Sequence, residues 1–167
     1  KKELETSNDF VIEPYKDLLV VGMGGSGVAG DVLKLVTNDI SQINVEVRKA
    51  YGIPKVIADK RPKCLFISYS GNTEETVEAV YDAVKYNLDW SVISSGGKLV
   101  ELALKHEKPY VKVPSGLQPR AAFGLMTKAV MHYISGDENR KYLELCDQTG
   151  DYLNEILANH TENKLMS

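Results

Sequence analysis

The 167-residue sequence lacks three features that would assign a chain to a functional class at once. No apolar run is long enough to cross a bilayer. No cluster of basic residues stands out, since 20 Lys and Arg are offset by 23 Asp and Glu for a net charge of −3. Histidines and cysteines do not occur at the spacing of metal ligands. These absences argue against a membrane partner, a nucleic-acid partner and a metal centre, and they require any bound anion to be held by backbone amides and hydroxyl groups.

Cysteine is scarce, with Cys64 in a predicted strand and Cys146 in a predicted helix. Two isolated cysteines form neither a metal site nor a disulfide framework, and free cysteine is among the most buried residue types. We therefore interpret both as buried structural thiols. We also predict a cytoplasmic protein, because reduced thiols are typical of that compartment.

Short apolar runs alternate along the chain with longer amphipathic segments. Leu18–Val21 is a continuous apolar run, as expected for a strand that is buried on both faces. Strands are predicted over 18–21, 43–47, 64–67, 90–93 and 110–113, and helices over 28–36, 73–86, 98–105, 121–134 and 137–157. This alternation predicts an α/β fold, a doubly wound five-stranded parallel sheet flanked by helices. Ligands of such sheets bind at the carboxyl ends of strands, so the loops after the first, third and fifth strands are the candidate sites.

A glycine-rich segment, Val21–Gly30, joins the first predicted strand to the first predicted helix. Gly25 and Ser26 are candidate contacts for an anion, because glycine allows a ligand close to the backbone and a helix N-terminus attracts negative charge. Two other interpretations stay open: a turn that needs glycine only for packing, and a dinucleotide site, since residues 22–27 fit G-x-G-x-x-G. A dinucleotide site needs an acidic residue at the end of the second strand, which here ends in Arg48-Lys49.

Three hydroxyl residues, Ser68, Ser70 and Thr73, lie within six positions where the third strand ends. A phosphate dianion needs several converging donors, and hydroxyls with helix N-terminal amides can supply them without a lysine. The alternative is helix capping by Asn72 or Thr73, which would not explain Ser68 and Ser70. We therefore predict that the loop 68–73 binds a phosphate group.

Three motifs together resemble those of a known family. The Gly24–Gly27 turn, the loop 68–73 (SYSGNT) and the segment 114–122 (PSGLQPRAA) are similar to those of sugar isomerase (SIS) domains. The combination resembles more specifically the first domain of bifunctional phosphoglucose/phosphomannose isomerases. The resemblance implies that the three hydroxyl residues hold the phosphate of a sugar-phosphate substrate, with Gly25 and Ser26 as further contacts.

Arg120 follows a loop stiffened by prolines, at the start of a predicted helix. Interconversion of an aldose phosphate and a ketose phosphate moves a proton between C1 and C2 through a cis-enediolate, whose oxyanion needs a nearby cation. Arginine stays charged and offers a planar fork of donors. The resemblance implies this role for Arg120 in converting glucose 6-phosphate, mannose 6-phosphate or both to fructose 6-phosphate. The alternative is a surface arginine in an ion pair of little consequence.

The resemblance also implies how the chain is divided. Residues 1–155 are expected to form a first SIS domain with a short N-terminal extension, and 156–167 the start of a connection to a second SIS domain. Both ends are expected to lie within a longer protein. The base and the ring-opening acid of the family belong to the second domain, so this chain is expected to bind substrate but to turn over poorly alone. Complete members are expected to be homodimers in glycolysis and gluconeogenesis that use no metal and no organic cofactor.

Two other functions stay open. A non-catalytic SIS module that senses a sugar phosphate would share the phosphate loops without needing Arg120. A nicotinamide-dependent oxidoreductase would use only the glycine-rich segment and would leave the hydroxyl residues unexplained. The three histidines do not help to choose between these two functions. His106, His132 and His160 lie on predicted helices away from the strand-end loops. We interpret all three as surface or packing residues.

Overall fold

The computed structural model describes residues 4–7, 15–40, 43–118, 122–134, 144 and 147–152. Strands and helices alternate through these ranges. The strands are β1 (Glu5–Thr6), β2 (Asp17–Gly22), β3 (Asn44–Arg48), β4 (Lys63–Ser68), β5 (Trp90–Ser94) and β6 (Tyr110–Lys112). The helices are α1 (Gly24–Ile40), α2 (Lys55–Ala58), α3 (Glu74–Lys85), α4 (Gly97–Lys105) and α5 (Phe123–Ile134).

The strands form one sheet in the order β1-β6-β5-β4-β2-β3. The pairs from β6 to β3 are all parallel, and β1 pairs with β6 in the antiparallel direction. The five predicted parallel strands are therefore confirmed, and β1 is an unpredicted addition at one edge. The strand order reverses at β2, which has β3 on one side and β4 on the other. The loops after β2 and β4 thus meet at the switch point, where ligands of such sheets bind.

Helices cover both faces of this sheet. Leu18 and Val20 of β2 pack against α1 and α5 in one core cluster. Leu19 and Val21, the alternate residues of the same strand, pack with α3 and α4 in a second cluster. Because successive side chains of a strand point to opposite faces, burial on both sides explains the continuous apolar run.

The Cys64 thiol is fully buried in the second of these clusters. Burial raises the pKa of this thiol to about 12, which leaves it protonated and unreactive near neutral pH. The interpretation of Cys64 as a structural residue is confirmed, whereas Cys146 lies outside the described residues. Within the described part of the chain, no helix combines the length and the apolar composition needed to cross a membrane.

The helices differ from the sequence prediction mainly at the start of α1 and in the presence of α2. α1 begins at Gly24 rather than at Val28, because the amides of Ser26 and Gly27 already bond to the carbonyl of Met23. α2 is a single turn of four residues that no periodicity could indicate. Of the predicted helix over 137–157, residues 144 and 147–152 are described and are helical. The domain boundary at 155 lies outside the described residues and stays a prediction.

Candidate functional site

A cleft of about 250 Å³ opens where β2 and β4 end. Its walls come from the β2–α1 turn, the β4–α3 loop and α5. It is lined by Met23, Gly24, Gly25, Ser26, Ser68, Tyr69, Ser70, Thr73, Phe123 and Met126. None of these described lining residues carries a charge, so an anion bound among them would depend on hydroxyl and amide donors, as the sequence predicted.

The three hydroxyl groups of the β4–α3 loop form one cluster. Ser68 Oγ lies 2.7 Å from Thr73 Oγ1 and 3.4 Å from Ser70 Oγ. Ser68 is buried and forms the floor of the cleft, whereas Ser70 is exposed and Thr73 is half-buried at its wall. The predicted grouping of these side chains is therefore present in the fold.

Serine oxygens at this site accept hydrogen bonds from backbone amides. The amides of Tyr69, Gly71 and Asn72 donate, each over 3.2 Å, to the hydroxyl oxygens of Ser26, Ser68 and Ser70 in that order. A hydroxyl whose oxygen accepts from an amide can still donate its own hydrogen, although one hydrogen of the Ser68 and Thr73 pair is used between these two hydroxyls. The arrangement therefore favours a ligand that only accepts hydrogen bonds, which is the chemistry of a phosphate dianion.

Helix capping does not account for Thr73. This residue occupies the N-cap position of α3, but its side chain makes no capping hydrogen bond. Its hydroxyl instead contacts that of Ser68. The Asn72 side chain is also engaged elsewhere, because its oxygen accepts from the amide of Lys98 and its nitrogen donates to the carbonyl of Ser70. The alternative of helix capping by the Asn72 or Thr73 side chain is therefore not supported, and the Thr73 hydroxyl faces the cleft.

The β5–α4 loop packs closely against the β4–α3 loop, which carries the hydroxyl cluster. Gly71 has φ +70°, and a Cβ at this position would lie 1.8 Å from the carbonyl oxygen of Gly96. The amide of Leu99 donates to the carbonyl of Gly71 over 3.0 Å, so the two loops are also joined by a backbone bond. Only glycine permits this approach, and the curvature of the β4–α3 loop therefore depends on it.

Packing alone explains part of the glycine-rich segment. A Cβ on Gly27 would lie 2.6 Å from the carbonyl oxygen of Gly22, and one on Gly22 would lie 2.8 Å from that of Ile67. Gly24 has φ +51°, and a Cβ added to it would have no atom within 4 Å. It opens onto the cleft together with Gly25. Packing therefore accounts for Gly22 and Gly27, whereas Gly24 and Gly25 are open to the cleft.

The end of β3 does not offer the acid that a dinucleotide ribose requires. β3 ends at Arg48, whose guanidinium donates to the carbonyls of Gly52 and Tyr51. Lys49 follows and pairs with Asp31 of α1. Within residues 43–118, the position that would hold a ribose is therefore occupied by basic side chains.

Arg120 lies outside the described residues, between Gln118 and Ala122. His160 is also outside them. His106 caps the end of α4 with its ring 6.1 Å from that of Trp90, and His132 lies in α5. Burial and, to a lesser extent, the charge of Lys128 lower the pKa of His132. Neither described histidine lines the cleft, as predicted.

Four cleft residues were not identified from the sequence: Met23, Tyr69, Phe123 and Met126. Met23 is the one residue between β2 and α1, and Phe123 and Met126 lie on the first turn of α5. Spacing along α5 could have indicated the last two, because positions three apart share a helix face. Tyr69 could have been found from its place between Ser68 and Ser70 at the end of a strand.

Comparison with known proteins agrees with this fold. The family model of the SIS domain matches residues 12–95, about half of the chain. The chain belongs to the SIS domain family. The matched range contains the β2–α1 turn and the whole hydroxyl cluster, which are the two parts of the cleft that the sequence identified.

Relatives of this SIS domain include proteins of different names. It is 34% identical over 132 residues to a bifunctional phosphoglucose/phosphomannose isomerase of Thermoplasma acidophilum, covering 79% of this chain and 40% of that protein. It is 40% identical over 132 residues to a D-glucosamine-6-phosphate 4-epimerase of Sulfolobus acidocaldarius, covering 78% and 41%. The chain thus spans about two fifths of the length of these relatives.

The fold also matches a solved structure. A putative phosphosugar isomerase from Bacillus subtilis superposes with a TM-score of 0.62 at 19% identity, covering 89% of this chain and 48% of that one. At this identity the likeness shows the fold alone.

Proposed function

We propose that this SIS domain supplies the substrate-binding half of an aldose–ketose isomerase of hexose 6-phosphates. The proposed reaction interconverts glucose 6-phosphate, mannose 6-phosphate or both with fructose 6-phosphate. The observation that carries this proposal is the uncharged cleft in which Ser26, Ser68, Ser70 and Thr73 present hydroxyl groups beside the start of α1. The curated isomerase relatives support the same reaction.

The phosphate would be held by the hydroxyl cluster and by the first amides of α1, whose helix dipole favours an anion. The sugar would extend from this anchor past Phe123 and Met126 on α5. Because the phosphate end of the substrate does not react, the energy of binding it can be used to orient C1 and C2 for the reaction.

We propose that Arg120 provides the positive charge that the described cleft lacks. A proton leaves C2 for a base and returns at C1, a second proton passes from the C2 oxygen to the C1 oxygen, and the negative charge of the cis-enediolate develops on these two oxygens. A guanidinium beside these oxygens would stabilise that charge in a site with little competing charge. Phe123, three residues further along the chain, lines the cleft, which supports a place for Arg120 near its rim.

The first test combines binding with turnover. We expect 6-phosphogluconate, an open-chain analogue of the substrate, to bind saturably to the 167-residue chain in a calorimetric titration. We expect the complete natural protein to convert hexose 6-phosphates to fructose 6-phosphate. Binding without turnover would instead favour a sensing module, and epimerisation at C4 would favour the reaction named for the Sulfolobus relative. Binding of NADH without any response to sugar phosphates would favour an oxidoreductase.

Replacement of Arg120 by alanine is expected to lower kcat of the complete protein about 100-fold, the usual effect of removing one donor to an oxyanion. KM should change much less, because the phosphate anchor is intact. Arg61→Ala is the control, since that guanidinium donates to the carbonyl of Asn87 at the opposite end of the sheet. A kcat unchanged by Arg120→Ala would contradict the proposed role of this arginine.

The complete protein is further proposed to be a homodimer in the cytoplasm and to act in glycolysis and gluconeogenesis. The family resemblance supports the dimer and the pathway. The buried, unpaired thiol of Cys64 supports a reducing compartment.

A further inference from the structure

Tyr69 lies at the centre of the loops that surround the cleft. Its backbone amide donates to Ser26 Oγ over 3.2 Å, which joins the β4–α3 loop to α1. Its carbonyl accepts from the amide of Ser95 over 3.0 Å and from Ser95 Oγ over 2.6 Å, which joins the same loop to the β5–α4 loop. These main-chain bonds fix the hydroxyl cluster, and they would survive any change of the Tyr69 side chain.

The Tyr69 side chain makes a separate connection to the segment after β6. Its hydroxyl donates to the carbonyl of Pro114 over 3.1 Å and accepts from the amide of Leu117 over 2.9 Å. The side chain is buried, with 8% of its surface exposed. The ring is rigid, and its hydroxyl group both donates and accepts a hydrogen bond. The side chain therefore fixes the distance between the hydroxyl cluster and the turn at 114–117.

From this geometry we infer that Tyr69 is a positioning residue, which holds the segment 114–118 at a fixed distance from the phosphate-binding hydroxyls. The inference rests on the proposed function. The reacting carbons of a hexose 6-phosphate lie at the end of the molecule opposite its phosphate. Groups that act on them must therefore be held in register with the anchor, and a misplacement of about 1 Å can cost about 100-fold in rate.

The segment 114–118 is well placed to transmit such a displacement. The amide of Ala122 donates to the carbonyl of Gln118, and that of Met126 donates to the carbonyl of Ala122. These hydrogen bonds connect the segment to the first turn of α5. Phe123 and Met126 on that first turn line the cleft. A shift of the 114–117 turn would reach the sugar end of the cleft while leaving Ser68 and Thr73 in place.

The test is Tyr69→Phe in the complete natural protein. We expect kcat to fall about tenfold, with KM and the inhibition constant of inorganic phosphate changing less than twofold. If Tyr69 only stabilised the fold, its replacement would not lower kcat while leaving KM unchanged. Tyr81→Phe is the matched control, because Tyr81 is half-exposed on α3 and does not line the cleft, and we expect it to alter neither constant.

Hydrogen exchange gives a second readout that does not depend on turnover. The Leu117 amide loses its acceptor in Tyr69→Phe and should exchange at least tenfold faster, whereas the amides of β4 should keep their rates. An unchanged kcat, or an unchanged exchange rate at Leu117, would overturn the inference. A wild-type protein without turnover would contradict the proposed function itself, and the two failures are therefore distinguishable.

Discussion

Removal of the Ser68 and Thr73 hydroxyls together is expected to weaken binding of 6-phosphogluconate by at least a hundredfold. Hydrogen bonds to a charged group contribute about 1.5–3 kcal/mol each. Two such bonds correspond to a factor of roughly 150 or more, and the uncharged described lining of the cleft offers no charge to replace them. The measurement is a calorimetric titration of Ser68→Ala/Thr73→Val beside the unchanged chain.

Loss of binding in this variant would not be a loss of folding. The amide of Gly71 donates both to Ser68 Oγ and to the carbonyl of Ser68, at 3.2 and 3.1 Å, so it keeps a partner in the variant. Thr37→Val is the matched control, because it removes a buried hydroxyl that bonds within α1 to the carbonyl of Leu33. Equal affinities of the double variant and this control would rule out the hydroxyl cluster as the phosphate site.

Gly71→Ala is expected to lower the free energy of unfolding by about 2–5 kcal/mol. A left-handed conformation costs an alanine about 1–2 kcal/mol, and relieving a forced contact with backbone adds about 1–3 kcal/mol. The contact is severe here, since the new Cβ would lie 1.8 Å from the Gly96 carbonyl oxygen and 2.7 Å from Ser94 Oγ. The bond from the Leu99 amide to the Gly71 carbonyl also holds the β4–α3 loop against α4.

Gly116→Ala separates backbone conformation from this contact. Gly116 has φ +88° and no atom within 4 Å of an added Cβ, so only the conformational cost of about 1–2 kcal/mol applies. Urea unfolding of both variants measures the difference. If Gly71→Ala were no more destabilising than Gly116→Ala, the described interlock between the β4–α3 and β5–α4 loops would be incorrect.

The parallel sheet was predictable because its central strands β2, β4 and β5 are buried on both faces. Short continuous apolar runs such as Leu18–Val21 are typical of buried strands. Their alternation with amphipathic segments along the chain indicates the fold class. β1 could not be predicted, since this strand is only two residues long and both residues, Glu5 and Thr6, are exposed. The start of α1 was predicted four residues too late because glycine is a poor helix former and three of the residues 24–27 are glycines.

The hydroxyl cluster was predictable for a related reason. Ser68, Ser70 and Thr73 follow a strand whose end lies at the switch point, so local spacing already brings them together. The connection from Tyr69 to Pro114 and Leu117 spans more than forty residues and has no local pattern. Capping by Asn72 stayed open as an alternative because its spacing to Glu75 fits a capping box, but in the fold its side-chain oxygen accepts from the amide of Lys98.

The antiparallel edge strand constrains the order in which the protein can form during its synthesis. Ser7 bonds to Tyr110 through both backbone and side chain, across 103 positions of the sequence. At roughly 5–20 residues per second, a ribosome needs roughly 5–20 seconds to deliver β6 after β1 has been made. Throughout that interval residues 5–7 have no strand to join. Being short and polar, they present little for another nascent chain to pair with, and they close the edge of the sheet last.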